Sequence, residues 1–177
     1  MSRAYGRRAA SLGMSLSPAD DALSMRPARD DQADRTFLYA LFAETKAADI
    51  AAMPIDVAAK DALLRMQYRS MTATYRQEYP AARWEVVELA GEPVGLLVTD
   101  VGDHCITYVD IELSLRAQGR GLATRVMTRA LEEARRLRLP ARVNVLAQNA
   151  ASLKLCDRIG FVKVGDEPPF VQLEWRA

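Results

Sequence analysis

The stretch Asp110-Ile-Glu-Leu-Ser-Leu-Arg-Ala-Gln-Gly-Arg-Gly-Leu-Ala123 decides how the chain is read. A β-rich run from Cys105 to about Leu115 leads into it. A helical run leaves it, with Leu122, Val126, Ala130, Ala134 and Leu137 spaced by three or four. The first N–H groups of a helix have no partner inside the helix and point together, and the helix dipole adds partial positive charge there. Gly119 and Gly121 remove the side chains that would hold an anion away from those amides. The pattern predicts a main-chain cradle for a diphosphate. Taken alone, it also fits a turn with a tight helix–strand contact. The dinucleotide pattern G-x-G-x-x-G is not met, because Ala123 and Thr124 follow Gly121, and no P-loop G-K-[ST] ending is present.

Working outward, Pro140 stops the helix, Arg142–Ala147 reads as a strand, and Asn149 caps a short helix that ends at Gly160. Phe161–Val164 and Phe170–Trp175 are the last strands. Upstream, Trp84–Leu89 and Val94–Thr99 flank the turn residues Ala90–Pro93 and form a hairpin. Asp56 caps a helix ended by Pro80. Asp30 or Asp31 caps an earlier one that carries Phe37, Leu38, Leu41 and Phe42, and Leu23–Pro27 is a short first strand. The order β α α β β β α β α β β predicts one mixed α/β domain over residues 23–177. Residues 1–22, with Arg3, Arg7 and Arg8 before a weak apolar stretch, are expected to be a disordered tail or the product of an early start codon, with Met14 or Met25 as the true first residue; the Arg- and Ser-rich, acid-poor start also resembles a transit peptide.

Composition narrows the function. The chain has 177 residues, and its longest uncharged runs, Ala9–Ala19 and Val143–Leu153, are too short to cross a bilayer. A formal net charge of +1 gives no global field for nucleic acid. Two cysteines, Cys105 and Cys156, and a single histidine, His104, support neither a disulfide framework nor a zinc site. The expectations are a cytoplasmic protein with no metal, no nucleic-acid partner and no membrane partner.

Gln118-Gly-Arg-Gly121-Leu-Ala123 resembles Q/R-x-x-G-x-G/A, the acyl-CoA pyrophosphate motif of the GNAT superfamily of N-acyltransferases. Asn149, with Leu153, Leu155 and Gly160-Phe161, is similar to that family's N-x-x-A-x-x-L-Y-x-x-x-G-F segment. The element order from Leu23 to Trp175 is also the family's. The resemblance implies a mostly antiparallel sheet of six to seven strands flanked by four helices, with two central parallel strands splayed into an acyl-CoA wedge. It implies acetyl-CoA as donor and a small-molecule or protein amine as acceptor, with a homodimer among the expected assemblies. By position, the backbone of Leu113, Ser114 and Leu115 would pair with the pantetheine arm. The N–H groups of Gln118, Gly119, Arg120, Gly121, Leu122, Ala123 and Thr124 would hold the diphosphate, and Asn149 and Ser152 would border the arm.

Direct attack on the thioester needs a base, an oxyanion donor and a leaving thiolate. A backbone N–H near Leu113 is the donor candidate. Asn144 takes the fifth-strand position that can carry a base, so the candidates are Asp110 and Glu112, which share one strand face. Glu112 lies nearer the loop and is the catalytic candidate; an ordinary charged strand residue and a water chain to a distant carboxylate are the competing readings. Cys156 replaces the family's proton-donating tyrosine, either as a thiol donor or as a small buried side chain. Among the arginines around the long helix, Arg120 and Arg125 are the candidates for a CoA phosphate. Gln67, Met71 and Tyr75 share a helix face that can line the acceptor pocket. A catalytically weak acyl-CoA-binding module is the alternative, kept by Cys156 and Asn144, and a nucleotide or phosphosugar binder is a third reading.

Overall fold

The computed structural model describes residues 22–177, and the expectation for the N-terminal tail lies outside this range save at Ala22. Seven strands form one sheet in the order β1-β2-β3-β4-β5-β7-β6. They are β1 (Leu23–Pro27), β2 (Arg83–Leu89), β3 (Glu92–Val101), β4 (Ile106–Leu113), β5 (Ala141–Leu146), β6 (Val162–Glu167) and β7 (Phe170–Trp175). The helices are α1 (Gln32–Ala51), α2 (Val57–Glu78), α3 (Leu122–Leu137) and α4 (Ala150–Arg158). Among the described strands β4 and β5 are the one parallel pair, and every other neighbour is antiparallel. None of these helices is long and apolar enough to cross a membrane.

The hairpin β2–β3 places β3 centrally. Val94 to Thr99 are all buried, which is why this strand reads as a continuous apolar run rather than an alternating one. Leu97 joins the main core, built with Val126, Met127 and Leu131 of α3 and Cys156 of α4. Leu96 and Val98 point the other way, onto Leu41 of α1. Helices therefore cover both faces. Each large α3 side chain so buried contributes about 1.5–3 kcal/mol.

α1 is fixed by charge as well as packing. Asp31 caps it by accepting from the Asp34 N–H. Asp34, 4% exposed, accepts two bonds from Arg26 of β1, at 2.6 and 2.7 Å, and Arg26 also donates to Glu88 of β2. The guanidinium holds the Asp34 carboxyl down to about 2 from 3.8. Its stabilisation is complete above the ordinary carboxylate range and is lost as pH falls through about 2. Asp34→Ala is expected to cost about 3 kcal/mol in urea unfolding, because Arg26 keeps only one of its two carboxylates.

Several boundaries differ from expectation, among them β3, which runs over Glu92–Val101 rather than Val94–Thr99 because Glu92 and Pro93 already pair with β2. β4 stops at Leu113, because Ser114 opens a single 3₁₀ turn, Leu115–Ala117. β6 runs on to Glu167, carried by pairing with β7, where Asp166 meets Val171 and Glu167 meets Phe170.

Candidate active site

β4 and β5 pair at only two positions, Ile106 with Ala141 and Thr107 with Arg142. Beyond them β5 pairs only with β7, and the outer half of β4 faces a gap. Backbone groups alternate sides along a strand. The Ser114 N–H turns inward, donating to Val94 O of β3 at 2.9 Å. The Leu113 N–H and C=O therefore face the gap. Gln118 Nε2 occupies that carbonyl at 2.8 Å, which leaves the Leu113 amide as the donor directed there.

Ser114 and Leu115 do not extend this edge as the sequence suggests. The Leu115 N–H donates to Glu44 of α1 at 3.2 Å, and the Ser114 and Leu115 carbonyls accept from Ala117 and Gln118 in the 3₁₀ turn. The physical reason is the sharp turn that brings the chain round to the mouth of α3.

At that mouth Gly119 and Gly121 both adopt the left-handed region, φ +75° and +71°. A Cβ built on either meets nothing within 4 Å, so both glycines border open space. Among the described residues no side chain caps α3, and its first internal bond is Arg125 N–H to Gly121 O. The amides of Leu122, Ala123 and Thr124 thus precede the first internal bond and share one direction. This cradle of bare amides beside an opened strand pair fits a CoA diphosphate and its extended arm. Asn149 caps α4, accepting from the Ser152 N–H at 3.1 Å.

Arginines sort clearly. Arg116 donates to Pro93 O, Arg129 to Leu23 O, Arg135 lies over the Trp175 ring, and Arg136 and Arg142 pair with Glu133 and Glu174. Arg120 stands exposed in the cradle loop.

A bulge in β4 at Val109 sets Asp110 opposite Val98 and Glu112 opposite Leu96, so both carboxylates face α1 and α2. Thr45 of α1 donates to Glu112 through a short hydrogen bond. Tyr75 of α2 lies close enough to Asp110 for the two groups to act on each other's ionisation. Burial, reinforced by the Glu112 charge, pushes Asp110 up to about 7 from 3.8, against the opposing pull of Tyr75 and Lys46. Burial also raises Glu112. Thr45 has no signal in the sequence, since only tertiary packing brings α1 over β4. Tyr75 lies on the face singled out there; His104 is exposed, as its turn suggests. Cys156, 5% exposed in the main core, has its thiol pushed up to about 11 by burial.

Gly95 of β3 makes room for this edge. A Cβ there would stand 2.5 Å from Glu112 O and from Leu113 Cδ2. Gly95→Ala is expected to cost about 1–3 kcal/mol by displacing β4. Its melting temperature and its turnover should fall together.

The acetyltransferase (GNAT) family model matches residues 55–161, more than half of the chain. The chain belongs to this family of acetyltransferases. Solved structures share the fold. PaiA N-acetyltransferase from Thermoplasma acidophilum, in complex with coenzyme A, is 12% identical with a TM-score of 0.65, over 88% of this chain and 99% of that one. An acetyltransferase from Thermus thermophilus is 19% identical with a TM-score of 0.64, over 89% and 99%. A GNAT family acetyltransferase from Elizabethkingia anophelis with acetyl-CoA bound is 11% identical with a TM-score of 0.60, over 88% and 98%. Comparison with curated proteins finds no match.

Proposed function

We propose that the chain transfers an acetyl group from acetyl-CoA to a primary amine by direct attack. The observation that carries this reading is the β4–β5 register, which ends after two pairs beside the uncapped start of α3. Solved relatives that hold CoA or acetyl-CoA support the donor.

The donor supplies the acyl group as a thioester. The amides of residues 119–124 hold its diphosphate, with Arg120 alongside, and Asn149 and Ser152 border the arm; the Gln118 N–H, committed to the Leu115 carbonyl, takes no part. The amine nitrogen bonds to the thioester carbonyl carbon. The Leu113 N–H donates to the oxygen on which charge develops. The Asp110–Glu112 pair takes the proton that the amine loses. Glu112 stands next to Leu113, and the ionisation of Asp110 near 7 matches the pair to neutral conditions. The C–S bond then breaks, and CoA leaves as a thiolate that takes its proton from solvent. Cys156 acts as packing: burial among Val126, Met127 and Phe161 and a raised thiol pKa both support the inert role.

The test incubates the protein with acetyl-CoA and a panel of small and peptide amines while free CoA thiol is followed. Amine-dependent thiol release is expected. Tight CoA binding with no release across the panel would favour the non-catalytic module. In the same assay Cys156→Ala should keep turnover within a few-fold, whereas a loss of about a hundredfold would assign it the general-acid role.

A further inference from the structure

Two consecutive residues of α1 reach across to the end of β4. Glu44 accepts from the Leu115 N–H at 3.2 Å, and Thr45 donates to Glu112 Oε1. Between their two targets lies Leu113, whose amide is directed into the gap. α1 therefore grips β4 on either side of that amide, and the two grips differ in kind. Glu44 holds main chain. Thr45 holds a side chain, through a hydroxyl that has a second choice.

That hydroxyl carries one proton and lies within reach of two acceptors. Phe42 O of α1 is 3.1 Å away, one turn back, the local contact that a threonine inside a helix commonly makes. Glu112 Oε1 is the other, and it comes from a different element. A carboxylate wins this competition, because a hydrogen bond to an ionised acceptor is about twice as strong as one between neutral groups. Once Glu112 is neutral the advantage goes, and Phe42 O stands ready to receive the hydroxyl. Thr45 thus favours the ionised carboxylate without being stranded by the protonated acid. Among the described residues no hydrogen bond reaches Glu112 Oε2.

We propose that Thr45 is the positioning residue of the base: its hydroxyl pins Oε1 of Glu112 and leaves Oε2 to take the proton that the amine loses. This assignment rests on the Asp110–Glu112 pair being the base. The titratable groups around Glu112 are Glu44 and Lys46 on α1, Tyr68 and Tyr75 on α2, and Asp110 on its own strand. β3 sets only Leu96 opposite it. Burial favours the protonated acid; Thr45 and then Lys46 oppose it, and Glu44 adds to it. The Lys46 side chain is 43% exposed, so water screens its charge, whereas Thr45 makes a directed bond.

The test follows the Glu112 carboxyl carbon of the full chain by ¹³C NMR against pH, assigned by its loss in Glu112→Gln. Thr45→Val keeps the shape and removes the hydroxyl. The Glu112 midpoint is expected to rise by about one pH unit, the tenfold that a hydrogen bond to a charged group is worth. Thr45→Ser should restore the wild-type midpoint, and Thr45→Ala repeats the loss without a branched side chain. In turnover, Thr45→Val should lower kcat most at low pH, with the limb displaced upward and CoA affinity unchanged. In a Glu112→Gln background the same substitution should leave the limb where Glu112→Gln puts it. A Glu112 midpoint unmoved in both Thr45→Val and Thr45→Ala overturns the proposal, as does a serine variant that titrates like the valine one. The carboxyl titration needs no substrate, so it decides the part of Thr45 by itself. Unchanged kcat in both Glu112→Gln and Asp110→Asn is the separate result that overturns the pair as base, and the proposal with it.

Discussion

Gly121→Glu is expected to weaken CoA binding by at least about a hundredfold in calorimetric titration, a loss of ~2.7 kcal/mol or more. At φ +71° any L-residue is strained by about 1–2 kcal/mol, so Gly121→Ala should show only a modest defect. Glutamate adds a carboxylate directly in front of the amides of Leu122, Ala123 and Thr124. Like charges about 4 Å apart repel by about 4 kcal/mol at an effective dielectric of 20. Because the added Cβ meets nothing within 4 Å, no neighbour has to move, and the melting temperature falls only by the few degrees that the backbone strain costs. Unaltered CoA affinity in a folded Gly121→Glu protein would contradict the cradle.

The second large effect concerns the acid pair. Glu112→Gln should lower kcat by about 10²–10⁴ while CoA affinity stays within a few-fold, since the side chain faces α1 and not the cradle. The pH profile separates the two carboxylates. The base must be ionised, so the wild-type rate rises with pH through about 7, the range of Asp110. Glu112→Gln removes a negative charge that favours protonated Asp110, and the limb should move to lower pH. Asp110→Asn should abolish the limb near 7. Unchanged kcat in both variants would retire the pair.

The order of elements was legible because each one carries its own local signal. Asp56 and Asn149 cap the helices predicted for them, and the hairpin forms as predicted, its turn tightened to Ala90–Gly91 because Glu92 and Pro93 pair with Leu89 and Glu88. The backbone at the mouth of α3 was equally legible, since two glycines between a strand and a helix report on main-chain conformation alone. The acid pair was half legible. Period two puts Asp110 and Glu112 on one face, but the bulge at Val109, the hydroxyl of Thr45 and the burial that raises both carboxylates arise from helices packed over the sheet. The end of β4 was misplaced for a similar reason. Ser114 and Leu115 suit a strand by composition, and only the return to α3, fixed by Glu44 and Gln118, bends them away.

The brief contact between β4 and β5 makes the sheet two blades held at one end: β1 to β4, and β5 with β7 and β6. Since the two blades share no ladder beyond Thr107 and Arg142, a ligand entering there would have no inter-strand hydrogen bonds to tear open. The cost of entry reduces to stripping water from main-chain groups already turned toward it, a slot cut in advance rather than a seam that must be unpicked.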